Sequence, residues 1–330
     1  MVCGHGSRDT DAIREFDTMV TGLRARLPGR VVGSGFLEFA RPIIREGLDS
    51  LKAQGAKTIH ALPAMLFAAG HVKNDLPWEL NSWAAENPDV KLVFARDLSI
   101  DLKLLEAAKA RIEEAEARAK RPATREETLL VVVGRGTNDP DANSNVAKVA
   151  RMLWEGMGFG WATVAYSGVA HPRTNACLAR AVRMGFRRIV VFPYFLFNGI
   201  LVKRIYEQTD EVAAFSPDVE FLKADYLNDH PNVLATFLER LEEIGRGETA
   251  MNCMVCKYRT QIVGYEADVG AVQAGHHHHV RGIGTDADHD RGHHHHHSHD
   301  HSHDAHHHHG HDHGHDHSHG HSHTQMHKRS

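Results

Sequence analysis

The feature that most constrains this chain of 330 residues is that it contains the same pattern twice. Adding 130 to a residue number in the first part returns a matching residue, without a gap, over about seventy positions. Gly4, Gly6, Asp9 and Asp11 become Gly134, Gly136, Asp139 and Asp141. Pro42, Gly55, Ile59 and Pro63 become Pro172, Gly185, Ile189 and Pro193, and Leu66-Phe67 and Val72-Lys73 become Leu196-Phe197 and Val202-Lys203. A constant offset of this length means a duplicated domain rather than a solenoid, whose repeats are far shorter.

Each copy alternates short apolar runs with amphipathic stretches. "VVGSGFL" (31–37), "KTIHALP" (57–63) and "VKLVFA" (90–95) read as strands in the first copy. "LLVVVG", "WATVAYSGV", "RRIVVFP" and "VEFLKA" take those parts in the second. Near-continuous apolar strands suit sheets covered on both faces. Ile13, Phe16, Val20, Leu23 and Leu27 share one face of a helix. Pro42 is expected in the first turn of the next, ahead of Ile44, Leu48 and Leu51. Such alternation predicts an α/β fold of two tandem similar domains, each a small four-stranded parallel sheet with right-handed crossovers and flanking helices. The expected boundaries are 1–120 and 128–247 for the domains, with a charged linker at 121–127 containing Pro122. A segment at 248–273 with a Cys-x-x-Cys pair and a His-rich tail at 274–330 follow.

The tail holds 25 of the 30 histidines and, from His276, four basic and seven acidic residues, so most of the net charge of −4 lies there. The remaining body is nearly neutral, which gives no signature of nucleic-acid binding. No apolar run is long enough to span a bilayer, and no signal peptide precedes the first motif. Four cysteines, Cys3, Cys177, Cys253 and Cys256, are too few for a disulfide scaffold at this size, so a cytoplasmic protein with reduced thiols is expected. Met1 stands almost inside a strand, which suggests that a few N-terminal residues are missing from the sequence.

In an open parallel sheet, ligands bind beyond the carboxyl ends of the strands. Three segments of the first copy converge there: "GHGSRD" with His5, "GFLEFARP" with Glu38, and "LPAMLFAAGHVKNDLP" with His71. Two imidazoles and a carboxylate suit cobalt, iron, nickel or zinc, and proton transfer near neutral pH. The competing reading is a Gly-flanked His that hydrogen-bonds within its own turn. The repeat decides between them: His5, Glu38 and His71 correspond to Arg135, Gly168 and Leu201, so the scaffold persists while all three polar candidates change. One working site in the first copy is expected. His171 and Arg173 in "VAHPRTN" could border the cleft between copies, although a polar residue before a proline explains His171 as well.

"VCGHGSRD", "GFLEFARPII" and "PAMLFAAGHVKNDLP" together resemble the long sirohydrochlorin cobaltochelatases of the CbiX type, over roughly residues 1–260 and into the tail. The resemblance implies a chelatase-like fold and insertion of divalent cobalt into sirohydrochlorin during anaerobic-type cobalamin synthesis. It implies His5 and His71 as metal ligands and proton acceptors, with Glu38 orienting an imidazole or collecting protons. Sirohydrochlorin carries carboxylates, and Arg8, Arg41, Arg45 and Lys73 lie beside the motifs as candidate partners. The motifs are less specific to the metal, so iron or nickel insertion stays open.

Cys253 and Cys256, in "MNCMVCKYR", have ligand spacing but do not complete a site alone. The resemblance favours an iron–sulfur cluster with a redox or regulatory role over an idle thiol pair. The tail, including His293, His294, His295, His296, His297, His306, His307, His308 and His309, cannot bury a core. It reads as a reservoir that concentrates metal ions near His5 and His71, or as a sink for excess metal. The partners expected are sirohydrochlorin and divalent metal ions, with a homodimer allowed. An alternative of another class is a metal storage or delivery protein.

Overall fold

The structure, a computed structural model, describes residues 1–251 and 282–285. The Cys253–Cys256 pair and the His-rich tail lie outside the described residues. The first copy runs β1 (Val2–Gly4), α1 (Thr10–Arg26), β2 (Ser34–Phe36), α2 (Ile44–Ala53), β3 (Thr58–Pro63), α3 (Leu76–Glu86), β4 (Lys91–Phe94) and α4 (Leu102–Glu116). The second runs β5 (Thr128–Gly134), α5 (Pro140–Met157), β6 (Trp161–Tyr166), α6 (Thr174–Val182), β7 (Arg188–Pro193), α7 (Ile200–Ala214), β8 (Glu220–Lys223) and α8 (Pro231–Arg246). Two parallel four-stranded sheets result, ordered β2-β1-β3-β4 and β6-β5-β7-β8. Their registers repeat: Gly4 pairs with Phe36, and Gly134 with Tyr166.

Every residue of β5 and β7 is buried, as their unbroken apolar character requires. Leu130 and Val132 point to one side of the second sheet, Leu129, Val131 and Val133 to the other. The inner side belongs to a core shared by both copies, in which α1 and α4 meet α5 and α8. The outer faces carry α2 and α3 on the first sheet and α6 and α7 on the second. Both sheets therefore lie in one compact unit, Met1–Asp290.

Asp9 and Asp139 cap α1 and α5, each accepting a hydrogen bond from the amide two residues on, at 3.0 Å. Pro42 does not open α2. It follows a cis peptide in a bend beside β2, where its carbonyl accepts from the Phe36 amide at 2.8 Å. The helix begins at Ile44, and the Glu46 carboxylate accepts from the Ile43 amide at 2.9 Å. Cys3 and Cys177 are buried free thiols, and burial pushes the Cys3 thiol up to about 12. Among the described residues no helix is long and apolar enough to cross a membrane.

Polar contacts lock the seam between the copies. The buried Arg240 guanidinium donates to the carbonyls of Asp97 and Leu98 and to the carboxylates of Asp101 and Glu243, and Arg96 clasps Glu243 with two hydrogen bonds. Two further ion pairs are exchanged between copies. Lys73 reaches Asp139 at 2.7 Å and Asp141 at 3.3 Å, while Lys203 reaches Asp9 at 2.7 Å and Asp11 at 3.2 Å. Each lysine stands 130 residues from the other, as does each aspartate, so the two copies pack about a pseudo-twofold axis.

The two pairs differ in environment. Lys73 is 5% exposed at the side chain and its partners 2% and 5%, whereas Lys203 is 45% exposed. Burial pulls the Lys73 pKa down, but Asp139 and Asp141 outweigh it and the net shift is upward. Its stabilisation is thus complete below the ordinary lysine range and lost only as pH climbs beyond it. Removing a buried cation strands its partners at a cost of roughly 3–5 kcal/mol, while exposed pairs contribute little. In urea unfolding, Lys73→Met should lower stability by about 3 kcal/mol or more, and Lys203→Met should barely move the midpoint.

Candidate functional site

The order β2-β1-β3-β4 puts β1 between β2 and β3, so the chain reverses its direction of winding there. Loops leaving the ends of these strands diverge to opposite faces and open a crevice. His5 follows β1, Glu38 follows β2, and His71 follows β3. The first two are tied by backbone: the Leu37 amide donates to Gly4 at 2.9 Å and the Glu38 amide to His5 at 3.0 Å. That approach demands glycine at position 6, where φ is 95° and a Cβ would lie 1.7 Å from the Glu38 carbonyl oxygen. Glu38 itself is 3% exposed. The loop to His71 is held by the Asp97 carboxylate, which accepts from the Ala68 amide at 3.0 Å. Burial pushes Asp97 up to about 6, against the pull of that amide and of Arg96 and Arg240. His71 then opens a single wide turn, His71–Asp75, closed by the Leu76 amide on the His71 carbonyl. Wide turns of this kind recur at functional sites because they re-aim side chains.

The structure brings His5, Glu38 and His71 together. The two Nε2 atoms are 3.1 Å apart, and Glu38 Oε1 lies 3.6 Å from His5 Nε2 and 3.9 Å from His71 Nε2. Their ligand atoms fit within 4.8 Å of one another, and no other such trio of His, Cys, Asp or Glu occurs among the described residues. Both Nδ1 atoms are committed elsewhere. His5 Nδ1 is 2.8 Å from the Gly6 carbonyl, and His71 Nδ1 is 2.8 Å from an Asp75 carboxylate oxygen. A carbonyl or carboxylate only accepts, so each Nδ1 carries the proton and each Nε2 presents a lone pair. Two imidazole nitrogens and a buried carboxylate directed at one point form a donor set that could hold a metal ion. A nitrogen separation near 3 Å matches two imidazoles about 2 Å from one ion.

Sequence reasoning missed Asp75, although its four-residue spacing from His71 on a helical turn was a readable signal. Asp75 fixes the His71 ring, so orienting an imidazole falls to it, while Glu38 faces both Nε2 atoms directly. His5 and His71 line a cleft of about 550 Å³ walled by both copies, with Phe39, Met65 and Phe67 on one side and Arg135, Asn143 and Phe197 on the other, and Glu38 lies buried behind the two imidazoles. Arg135, which sequence reasoning treated only as the counterpart of His5, thus shares the cavity with it.

The basic candidates divide. Arg8 lines the cleft with its guanidinium 4.8 Å above the Phe39 ring. Arg41 pairs with Glu46 and Arg45 with Glu86, and Lys73 is consumed by Asp139 and Asp141. None of these three lines the cleft. His171 is exposed before its cis proline and also stands outside the lining. Loss of an orienting carboxylate typically weakens a histidine metal site tenfold to a hundredfold. Cobalt titration of a chain cut before the His-rich tail should show such a loss in Asp75→Asn, with no comparable change in unfolding midpoint.

Comparison with known proteins bears on this geometry. The CbiX family model matches residues 1–115 and again 129–244. A sirohydrochlorin cobaltochelatase of Priestia megaterium is 36% identical over 79% of this chain and 84% of its own. A sirohydrochlorin ferrochelatase of Bacillus subtilis is 28% identical over 73% of this chain and 89% of its own. The structure of SirB from Bacillus subtilis with Fe3+ superposes with a TM-score of 0.66 at 27% identity, covering 76% of this chain and 98% of that one. A cobalt complex of SirB from Bacillus subtilis subspecies spizizenii gives a TM-score of 0.62 at 26% identity, covering 74% and 94%. With both halves matched by one family model and a relative this similar over most of its length, the chain belongs to the CbiX family of chelatases.

Proposed function

We propose that this protein inserts divalent cobalt into sirohydrochlorin, with His5, His71 and Glu38 as the residues that hand over the metal and take up the protons. The observation that carries this reading is the pair of Nε2 lone pairs 3.1 Å apart, beside a buried carboxylate, on one wall of a two-walled cleft. Two neutral imidazoles and one carboxylate hold a divalent ion while leaving coordination positions open for the incoming ring nitrogens. Insertion exchanges one M²⁺ for two pyrrole N–H protons. As ring nitrogens displace the protein ligands, the freed Nε2 atoms become bases within the cleft. The Asp75 carboxylate stabilises His71 as it charges, because its hydrogen bond to Nδ1–H strengthens in the imidazolium. Glu38, within 4 Å of both rings, is the third acceptor and balances the positive charge that accumulates.

Arg8, held over Phe39 at the cleft wall, is assigned to a carboxylate of the macrocycle. Cobalt is favoured as the metal because the relative of 36% identity is a cobaltochelatase, whereas the ferrochelatases match at 28%. The imidazoles of the tail, among them His293–His297 and His306–His309, serve in this reading as a reservoir that raises the local cobalt concentration. Cys253 and Cys256 keep their reading as ligands of an iron–sulfur cluster with a role apart from chelation.

The test is incubation of the pure protein with sirohydrochlorin and Co²⁺, Fe²⁺ or Ni²⁺, followed by absorbance. Cobalt should give the highest rate. His5→Ala and His71→Ala should each slow insertion by about a hundredfold or more, the scale of a lost positioned base. Removal of the tail should cause only a mild defect at ample cobalt. Full loss on tail removal, with both point variants normal, would instead favour a storage protein.

A further inference from the structure

The duplicated Gly-x-Gly loops meet at one cleft with different side chains. Gly4-His5-Gly6 and Gly134-Arg135-Gly136 both line it, and their backbones are held alike. The Glu38 amide donates to the His5 carbonyl at 3.0 Å, and the Gly168 amide to the Arg135 carbonyl at 2.8 Å. Gly136, like Gly6, takes a positive φ, and a Cβ there would lie 2.1 Å from the Gly168 carbonyl oxygen. The loop that aims His5 into the cavity therefore also aims Arg135 into it from the opposite wall.

What surrounds Arg135 defines its chemistry. Its own copy has Gly168 where the first has Glu38, so the second wall offers no matching carboxylate. Among the described residues it makes no ion pair. Phe197, Leu201 and Val202 line that wall with it; the residue remains exposed to the cleft, where partial desolvation draws its pKa down. The field of Glu38, across the cleft, opposes this shift without forming a contact. A cation so placed faces a metal site across a cavity it cannot itself fill. Metal dication and guanidinium repel, and an anionic ring placed between them relieves both.

Resting on the reading that this cleft takes sirohydrochlorin, we propose that Arg135 is a positioning residue: it grips a carboxylate of the macrocycle from the second wall and so sets the ring centre over His5 and His71. The planar fork of arginine suits bidentate recognition of a carboxylate. The altered repeat is then a second half of the same site rather than a vestige of it.

The experiment measures binding of metal-free sirohydrochlorin to the full chain by fluorescence quenching, together with KM and kcat for cobalt insertion, in wild type, Arg135→Gln and Arg135→Lys. Loss of a charge-assisted hydrogen bond predicts a Kd and KM for sirohydrochlorin raised about tenfold to a hundredfold in Arg135→Gln. The KM for cobalt and the kcat should stay within about threefold of wild type, and the salt dependence of binding should flatten. Arg135→Lys should recover part of the affinity. Unchanged sirohydrochlorin affinity in Arg135→Gln, with wild type binding normally, would overturn the role of Arg135 alone. A fall in kcat with KM unchanged would overturn it too, in favour of an electrostatic part in the chemical step. Wild type that neither binds nor metallates sirohydrochlorin would overturn the proposed function and this role together.

Discussion

Two imidazole nitrogens held 3.1 Å apart, each with its other nitrogen already donating, confront each other with lone pairs. Next to them a carboxylate is buried within 4 Å of both. Such a close grouping of ligand atoms depends on the backbone that holds it. The Glu38–His5 backbone bond, the glycine at position 6 and the wide turn that begins at His71 supply that support. Two imidazoles and one carboxylate can hold a cation without closing its coordination shell, so the cation can also leave. A chelatase needs both properties, since its metal is a substrate in transit.

The pseudo-twofold arrangement explains how one chain supplies two different walls. The exchanged lysine–aspartate pairs and the shared layer of α1, α4, α5 and α8 keep the scaffold symmetric. The site residues break that symmetry. His5 against Arg135, Glu38 against Gly168 and His71 against Leu201 give the cleft one wall with two imidazoles backed by a buried carboxylate and one that is largely apolar with a single guanidinium. The ion pairs follow the same division, since Lys73, two residues beyond His71, is buried while Lys203 is not. The turn that carries His71 is thus anchored to the second copy by a buried ion pair.

Much of the fold could be read from the chain because its cause is local or repetitive. The offset of 130 and the unbroken apolar runs of β5 and β7 dictate two buried parallel sheets, and the polar loops at their carboxyl ends place His5, Glu38 and His71 at one rim. What escaped depends on how the copies meet. Lys73 reads as a free charge beside a motif, but its aspartates lie on the other copy. Arg135 reads as the residue that replaced a ligand, and only the packing of the halves returns it to the same cavity. Asp75 needed the wide turn to bring its carboxylate onto His71 Nδ1. Pro42 misled because a proline suits a first helical turn, whereas here its carbonyl serves β2.

Anomalous diffraction from crystals grown with Co²⁺, using a chain cut before the His-rich tail, addresses the central claim directly. One cobalt should lie roughly 2 Å from both His5 Nε2 and His71 Nε2, with Glu38 turned toward it. Cobalt bound by one imidazole alone, or found only away from the cleft, would contradict the account.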